Sequence, residues 1–201
     1  MKKQRKFIIC ILVGVALSAL TTGFIVRAKE IRVQERMAEE VFRFHVLANS
    51  DSEADQALKM QVKEAVLALM KEELPESGSV EETKEWAETN LDAIEKTALQ
   101  VIESEGYDYN VTAKVTICYF PEKTYGDITF PSGEYEALRI EIGKAQGQNW
   151  WCVLYPNLCF IDAVHAVVPE EGKEELKEVL DEDAYEMVTT KTRFRIKWFF
   201  F

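Results

Sequence analysis

The 201 residues include 35 Asp and Glu against 24 Lys and Arg, for a formal net charge of −11. All the acidic residues follow position 28, with nineteen of the basic ones, so the chain from Lys29 onward carries −16. A body so acidic repels nucleic acid and anionic lipid, which excludes DNA or RNA as a main partner.

The N-terminus supplies Lys2, Lys3, Arg5 and Lys6, and no charge then occurs from Phe7 to Val26. Such an apolar run, coiled as a helix, reaches about 30 Å, the thickness of a hydrocarbon core. Residues 1–28 therefore read as a signal peptide or a signal anchor, with residues 7–26 as the apolar span. Small side chains at Val26 and Ala28 permit cleavage after Ala28, and retention as an anchor is the alternative. The basic cluster holds to the cytoplasmic side, so in both cases the rest of the chain emerges outside. Residues 29–40 read as a linker or as the end of a long anchor helix. Residues 41–201 are long enough for one domain with a real core and too short for two.

In the body, Phe42, Phe44 and Val46 alternate with other residues and predict a first strand. Asn49 to Ser52 offer helix-capping side chains, and Leu58, Val62, Val66, Leu69 and Met70 share a helical face. Pro75 to Gly78 end that helix, and Ser79 with Glu82 forms a capping box for a longer one. Its stripe is Ala87, Leu91, Ile94, Ala98, Val101 and Ile102, and Gly106 stands where a C-terminal cap belongs. Period-two patterning returns in Val111, Ala113, Val115, Ile117 and Tyr119, read as inward, and in Leu138, Ile140 and Ile142. These two strands are expected to lie antiparallel, joined by a loop through Tyr125-Gly126-Asp127 and Pro131-Ser132-Gly133. Pro169 opens a short charged helix with Leu176, Val179 and Leu180. At the C-terminus Lys191, Arg193, Arg195 and Lys197 alternate with Thr192, Phe194, Ile196 and Trp198, which fits an edge strand or a membrane-interface segment. The expected fold is α+β: an N-terminal membrane-crossing helix, then a single domain with a helical hairpin packed on a mainly antiparallel sheet.

Cys10 lies in the apolar leader, and Cys118, Cys152 and Cys159 lie in the body. Export permits a disulfide, and Cys152 with Cys159 is the natural pair. A helix or a straight strand would hold them too far apart, so the pairing requires a turn, which Pro156 and Asn157 supply.

The catalytic inventory is thin. The chain has two histidines, His45 and His165, and no phosphate loop, dinucleotide fingerprint or zinc spacing, so no cofactor or metal is expected. Gln146 to Cys152 with His165 faintly resembles a papain-like thiol site, but the glycine-serine context before the cysteine is missing. Asp51 with Asp55, or Glu134 with Glu136, are carboxylate pairs of the kind a glycosidase uses. The first pair sits at a helix start, where capping is the simpler role. Trp150 and Trp151 are adjacent, and in a strand their indoles point to opposite faces. One of them must then be covered by another element or by a partner, which makes Trp150, Trp151 and Tyr155 candidate partner contacts.

Two blocks carry a family resemblance. The first is Phe42-Arg43-Phe44-His45-Val46-Leu47-Ala48-Asn49-Ser50-Asp51-Ser52 with Asp55-Gln56 and Leu58-Lys59. The second is Pro131-Ser132-Gly133-Glu134-Tyr135-Glu136-Ala137 with Asn149-Trp150-Trp151-Cys152-Val153-Leu154-Tyr155-Pro156 and Leu158-Cys159-Phe160. Both resemble the stage II sporulation protein R family of endospore-forming bacteria. The resemblance implies a signalling protein exported from the forespore into the intermembrane space. There it would activate a membrane-embedded aspartic protease that removes the pro-sequence of sigma-E, and would itself catalyse nothing. A secreted hydrolase using Cys152 or a carboxylate pair, acting on peptide or cell wall, is the alternative.

Overall fold

The computed structural model describes residues 2–74, 78–160 and 168–189. His165, the break at 75–77 and the basic C-terminal segment from Lys191 lie outside them. The chain divides into two units, residues 1–36 and 37–201.

Helix α1 spans Lys2–Glu40, so residues 29–40 are helical. By length and composition it is fit to cross a membrane. Within its apolar stretch the Thr21 hydroxyl bonds back to the carbonyls of Leu17, at 3.0 Å, and Ser18, at 2.9 Å. That keeps a polar side chain satisfied within its own helix, as an apolar medium requires.

The second unit continues with β1 (Phe42–Leu47), α2 (Glu53–Glu73), α3 (Val80–Thr89), α4 (Leu91–Ser104), β2 (Val111–Phe120), β3 (Lys123–Tyr125), β4 (Ile128–Phe130), β5 (Gly133–Ile142), β6 (Asn149–Tyr155), a short 3-10 turn (Leu158–Phe160), α5 (Glu170–Val179) and α6 (Glu182–Thr189). Four strands form one sheet in the order β2-β5-β1-β6. β5 is antiparallel to β2, β1 is antiparallel to β6, and β1 and β5 run parallel at the centre. The expected α+β class and the antiparallel pairing of β2 with β5 are both observed. The parallel contact at the centre makes the sheet mixed.

The core lies between one sheet face and α2, α3 and α4. Phe42, Phe44 and Val46 of β1 meet Leu58, Val62, Val66 and Met70 of α2 and Ile94, Ala98 and Ile102 of α4. The local signals for these helices act as read. Ser79 and Glu82 exchange both capping-box bonds, at 3.0 and 3.2 Å. Gly106, at φ +81, ends α4 and lets Tyr107 donate back to the Ile102 carbonyl at 3.0 Å.

Four elements depart from the sequence reading. The second helix is two, α3 and α4, because Asn90 turns its carboxamide onto the Trp86 carbonyl at 2.9 Å and stops the first. The loop before β5 contains the β3–β4 hairpin, with Gly126 at φ +58 in its turn. Asp127 anchors that turn by accepting from the Val168 amide at 2.9 Å and pairing with Lys173 at 2.9 Å. A second short helix, α6, follows α5 and packs on β4; Asp181 caps it through the Ala184 amide at 2.8 Å. All six residues of β1 are buried, where alternation alone implied one exposed face. β1 is a central strand covered on both sides, so Arg43 and His45 face a second layer of protein.

Candidate functional site

β6 fixes the tryptophan pair. It is an edge strand registered on β1, with Trp150 opposite Val46 and Trp151 opposite His45. The two indoles therefore leave opposite faces of the sheet. Trp150 turns to the helices, meeting Phe44 edge-on at 5.5 Å with the Lys63 ammonium 5.3 Å from its ring. Trp151 turns to the other face and stacks on His45 at 3.8 Å and 15°. Phe120 meets its edge at 4.7 Å and the Lys123 ammonium stands 5.9 Å away. Both indoles are half-buried, as is Tyr155 at the strand end. Beyond Tyr155 the chain turns at Pro156 and Asn157, and Cys152 and Cys159 form a disulfide with their Cα atoms 5.5 Å apart. In this state no thiol is free at Cys152, so the papain-like reading lacks its nucleophile.

The face that receives Trp151 holds an unusual set of polar groups. Arg43 is fully buried inside a cage of rings: Phe120 at 4.4 Å, Tyr135 at 4.9 Å, Phe130 at 5.2 Å and Tyr125 at 6.0 Å. Its Nε donates to the Cys152 carbonyl at 3.0 Å and its Nη2 to the Tyr125 hydroxyl at 3.1 Å. No carboxylate pairs with it among the described residues, so the ring faces supply most of the compensating negative potential. Burial pulls its pKa below the ordinary value, and Tyr125 partly offsets this. Next along the strand, His45 is buried and its pKa falls to about 4, because burial disfavours the charged ring and Arg139 repels it. Arg139 pairs with Glu141 at 2.7 Å, and Glu141 also takes Lys114 at 3.0 Å.

Among the described residues, five buried side-chain atoms on this face lack a hydrogen bond of ordinary geometry: Nδ1 and Nε2 of His45, Nε of Arg139, Oδ1 of Asn149 and Nη1 of Arg43, with Asn149 still near enough to His45 to raise its pKa slightly against the effect of burial. Strand register explains why they lie together. Arg43 and His45 stand two apart on β1, Arg139 is opposite His45, and Asn149 is opposite Leu47. Unpaired buried polar atoms are few in folded proteins, and each costs about 1–3 kcal/mol. All five are shut off from solvent, so they are a cost inside this face, and the half-exposed indole of Trp151 is the group it presents outward. The sequence reading singled out Trp151 but not Arg43, Arg139 or Asn149, and treated His45 as ordinary. The available signal was two basic side chains, Arg43 and His45, alternating with Phe42, Phe44 and Val46.

The carboxylate pairs have other employment. Asp55 does not cap α2; Ser52 does, accepting from the Asp55 amide at 3.1 Å. The buried Asp55 carboxylate instead accepts from Ser50 and, at 2.9 Å, from Asn49. Burial pushes its pKa up, but the bonds from Ser50 and Asn49 outweigh this and leave it below the ordinary value. Asp51 accepts from the Gln148 amide at 2.7 Å, Asn49 from the Lys144 amide at 3.0 Å, and Lys59 donates to the Gln148 carbonyl at 3.1 Å. The first sequence block is thus a polar clamp that holds the turn before β6 against the start of α2. Glu136 pairs with Lys84 at 2.9 Å, and Glu134 is exposed.

Fold and site together define an α+β protein with a membrane-length N-terminal helix and a sheet face of unpaired polar groups around Trp151. The family profile for stage II sporulation protein R matches residues 38–165. The chain is also 35% identical over 196 residues to the stage II sporulation protein R of Bacillus subtilis (strain 168), covering 94% of this chain and 86% of that protein. No solved structure matches. This chain belongs to the stage II sporulation protein R family.

Proposed function

We propose that this chain is an extracytoplasmic sporulation signal, exported from the forespore, that binds and activates a membrane-embedded aspartic protease and so triggers removal of the pro-sequence of sigma-E. Family membership carries the reading, and the apolar α1 supports a route to the far side of the membrane. The mechanism is binding, with the Trp151 face as the contact. The half-exposed indole suits an apolar anchor, and the Lys123 ammonium 5.9 Å from its ring supplies a polar neighbour. Trp150 and Tyr155 pack against the helix-side core and stand outside that contact.

The test uses a sporulating strain whose own copy is replaced by variants, with pro-sigma-E conversion followed by immunoblot and exported protein quantified in parallel. Trp151→Ala is expected to reduce conversion at least about tenfold at unchanged protein level, the loss typical of an interface anchor. Trp150→Ala, which removes packing on Phe44, is expected to lower thermal stability instead. Normal conversion by a stable Trp151→Ala protein removes this face from the interface.

A further inference from the structure

The outer edge of the sheet holds a second surface. Gly143 donates to the Asn110 carbonyl at 2.8 Å, which sets the phase of the β2–β5 ladder. Counting from that bonded pair through the register, even-numbered residues of β2 bond to β5, and the odd-numbered ones turn their N–H and C=O groups away. Ala113 confirms the phase, because its outward amide is taken by the Glu95 carboxylate at 2.7 Å. The near half of the edge is thus closed by a side chain of α4.

Among the described residues, the far half is open. No side chain among the described residues accepts from the outward amides of Val115, Ile117 and Tyr119, and the one contact to an outward carbonyl is Thr116 Oγ1 to Ile117 at 3.5 Å. β2 runs ten residues in unbroken register without a proline or a bulge, and Lys114 is its one charged residue. Natural edge strands usually carry such devices to prevent pairing. Ile117 and Tyr119, which the alternation assigned to the core, are 68% and 63% exposed. They extend the line of Ala113 and Val115 on the helix-facing side, past the helical cover.

We propose that the edge at Val115–Tyr119 is a strand-docking site for an extended segment of another protein in which Lys or Arg alternates with apolar residues. Charge selects the occupant. The exposed Glu134 lies opposite Tyr119 on β5, while Glu136, opposite Ile117, is held by Lys84 at 2.9 Å, and the body as a whole carries −16. A second copy would bring the same exposed Glu134 and the same net charge against them, whereas a basic segment is attracted. About five residues suffice to pair with the open stretch. This surface is on the opposite edge of the sheet from β6, and it goes beyond the protease contact proposed above.

The test is amide hydrogen exchange on the full chain in detergent micelles, with a blocked octapeptide alternating Val and Lys as probe and its Val-Glu counterpart as control. The Val-Lys peptide is expected to slow exchange at Val115, Ile117 and Tyr119, and the Val-Glu peptide to leave them unchanged. Ile117→Pro removes an outward donor without touching the β5 ladder, so it should abolish the slowing while Thr116 and Cys118 stay protected. The double variant Ile117→Lys, Tyr119→Lys keeps the backbone and should weaken binding about tenfold. Absence of slowing, equal slowing by the acidic peptide, slowing that grows with protein concentration alone, or slow exchange in the peptide-free chain that is lost on removing residues 191–201 would overturn the assignment, the last two by making a second copy or the chain's own basic segment the occupant.

Discussion

His45 and Arg43 show how a side chain that looks solvent-facing in a pattern becomes a liability the fold must support. Two residues apart on a strand, they share a face, and alternation with Phe42, Phe44 and Val46 reads naturally as polar-out. What patterning cannot convey is that a second layer, the β3–β4 hairpin with Phe120 and Tyr135, closes over that face. The opposite orientation of Trp150 and Trp151 needed only the strand's twofold period and was legible at once. Burial of His45 has a measurable consequence. Its pKa is about 4 in the folded chain against 6.5 for the free side chain. Between those values the unfolded chain binds the proton and the folded one does not, so stability is complete above pH 6.5 and declines as pH falls toward 4. The loss attributable to this ring is up to about 3 kcal/mol. His45→Phe keeps the stack on Trp151 and cannot titrate, so urea denaturation across that range should show a correspondingly flatter pH dependence than the parent chain. Parallel curves for the two proteins would mean that the ring is protonated in place.

At the scale of elements, legibility followed the range of the determining interaction. The α2 start, the Ser79–Glu82 box and the Gly106 cap depend on neighbours a few residues away, and all could be read. The split at Asn90 was missed because the stripe from Ala87 to Ile94 passes through it without losing phase. The clamp around Asp55 was missed for a different reason: its partners, Lys144 and Gln148, lie about a hundred residues along the chain, and nothing local betrays them. The family block Ala48 to Lys59 nonetheless becomes intelligible through that clamp, since Asn49, Ser50, Asp51, Asp55 and Lys59 each make a bond in it. Gly147 is its tightest point. Its amide donates to the Ala48 carbonyl at 2.9 Å, and a Cβ there would run into the backbone carbonyl of Ser50. Backbone on both sides cannot yield as a flexible side chain would, so Gly147→Ala is expected to cost about 2–4 kcal/mol. Chemical denaturation should show it as a lower midpoint at an unchanged slope, and a neutral substitution would mean that the turn before β6 is free to move.

For the whole molecule, the basic leader, the apolar α1 and the acidic body form a charge sequence that suits passage through a membrane in one direction. The body offers two faces for contact and, on the reading proposed here, no chemistry of its own, so its effect depends on where it is placed. The Cys152–Cys159 disulfide fits the same picture, because such bonds persist in oxidising compartments and not in the reduced cytoplasm. If location is the functional step, residues 1–28 act as an address and can be exchanged. A chain lacking residues 2–28 should remain in the cytoplasm with Cys152 and Cys159 reduced and leave pro-sigma-E unprocessed. Replacing the same residues with the cleavable signal peptide of an unrelated secreted protein should restore both the disulfide and sigma-factor maturation. Thiol labelling of the recovered protein, read beside the immunoblot, separates the two steps. A chain that is exported and oxidised yet fails to support maturation would show that the apolar span itself takes part in activation, and would move the interface from the Trp151 face into the membrane.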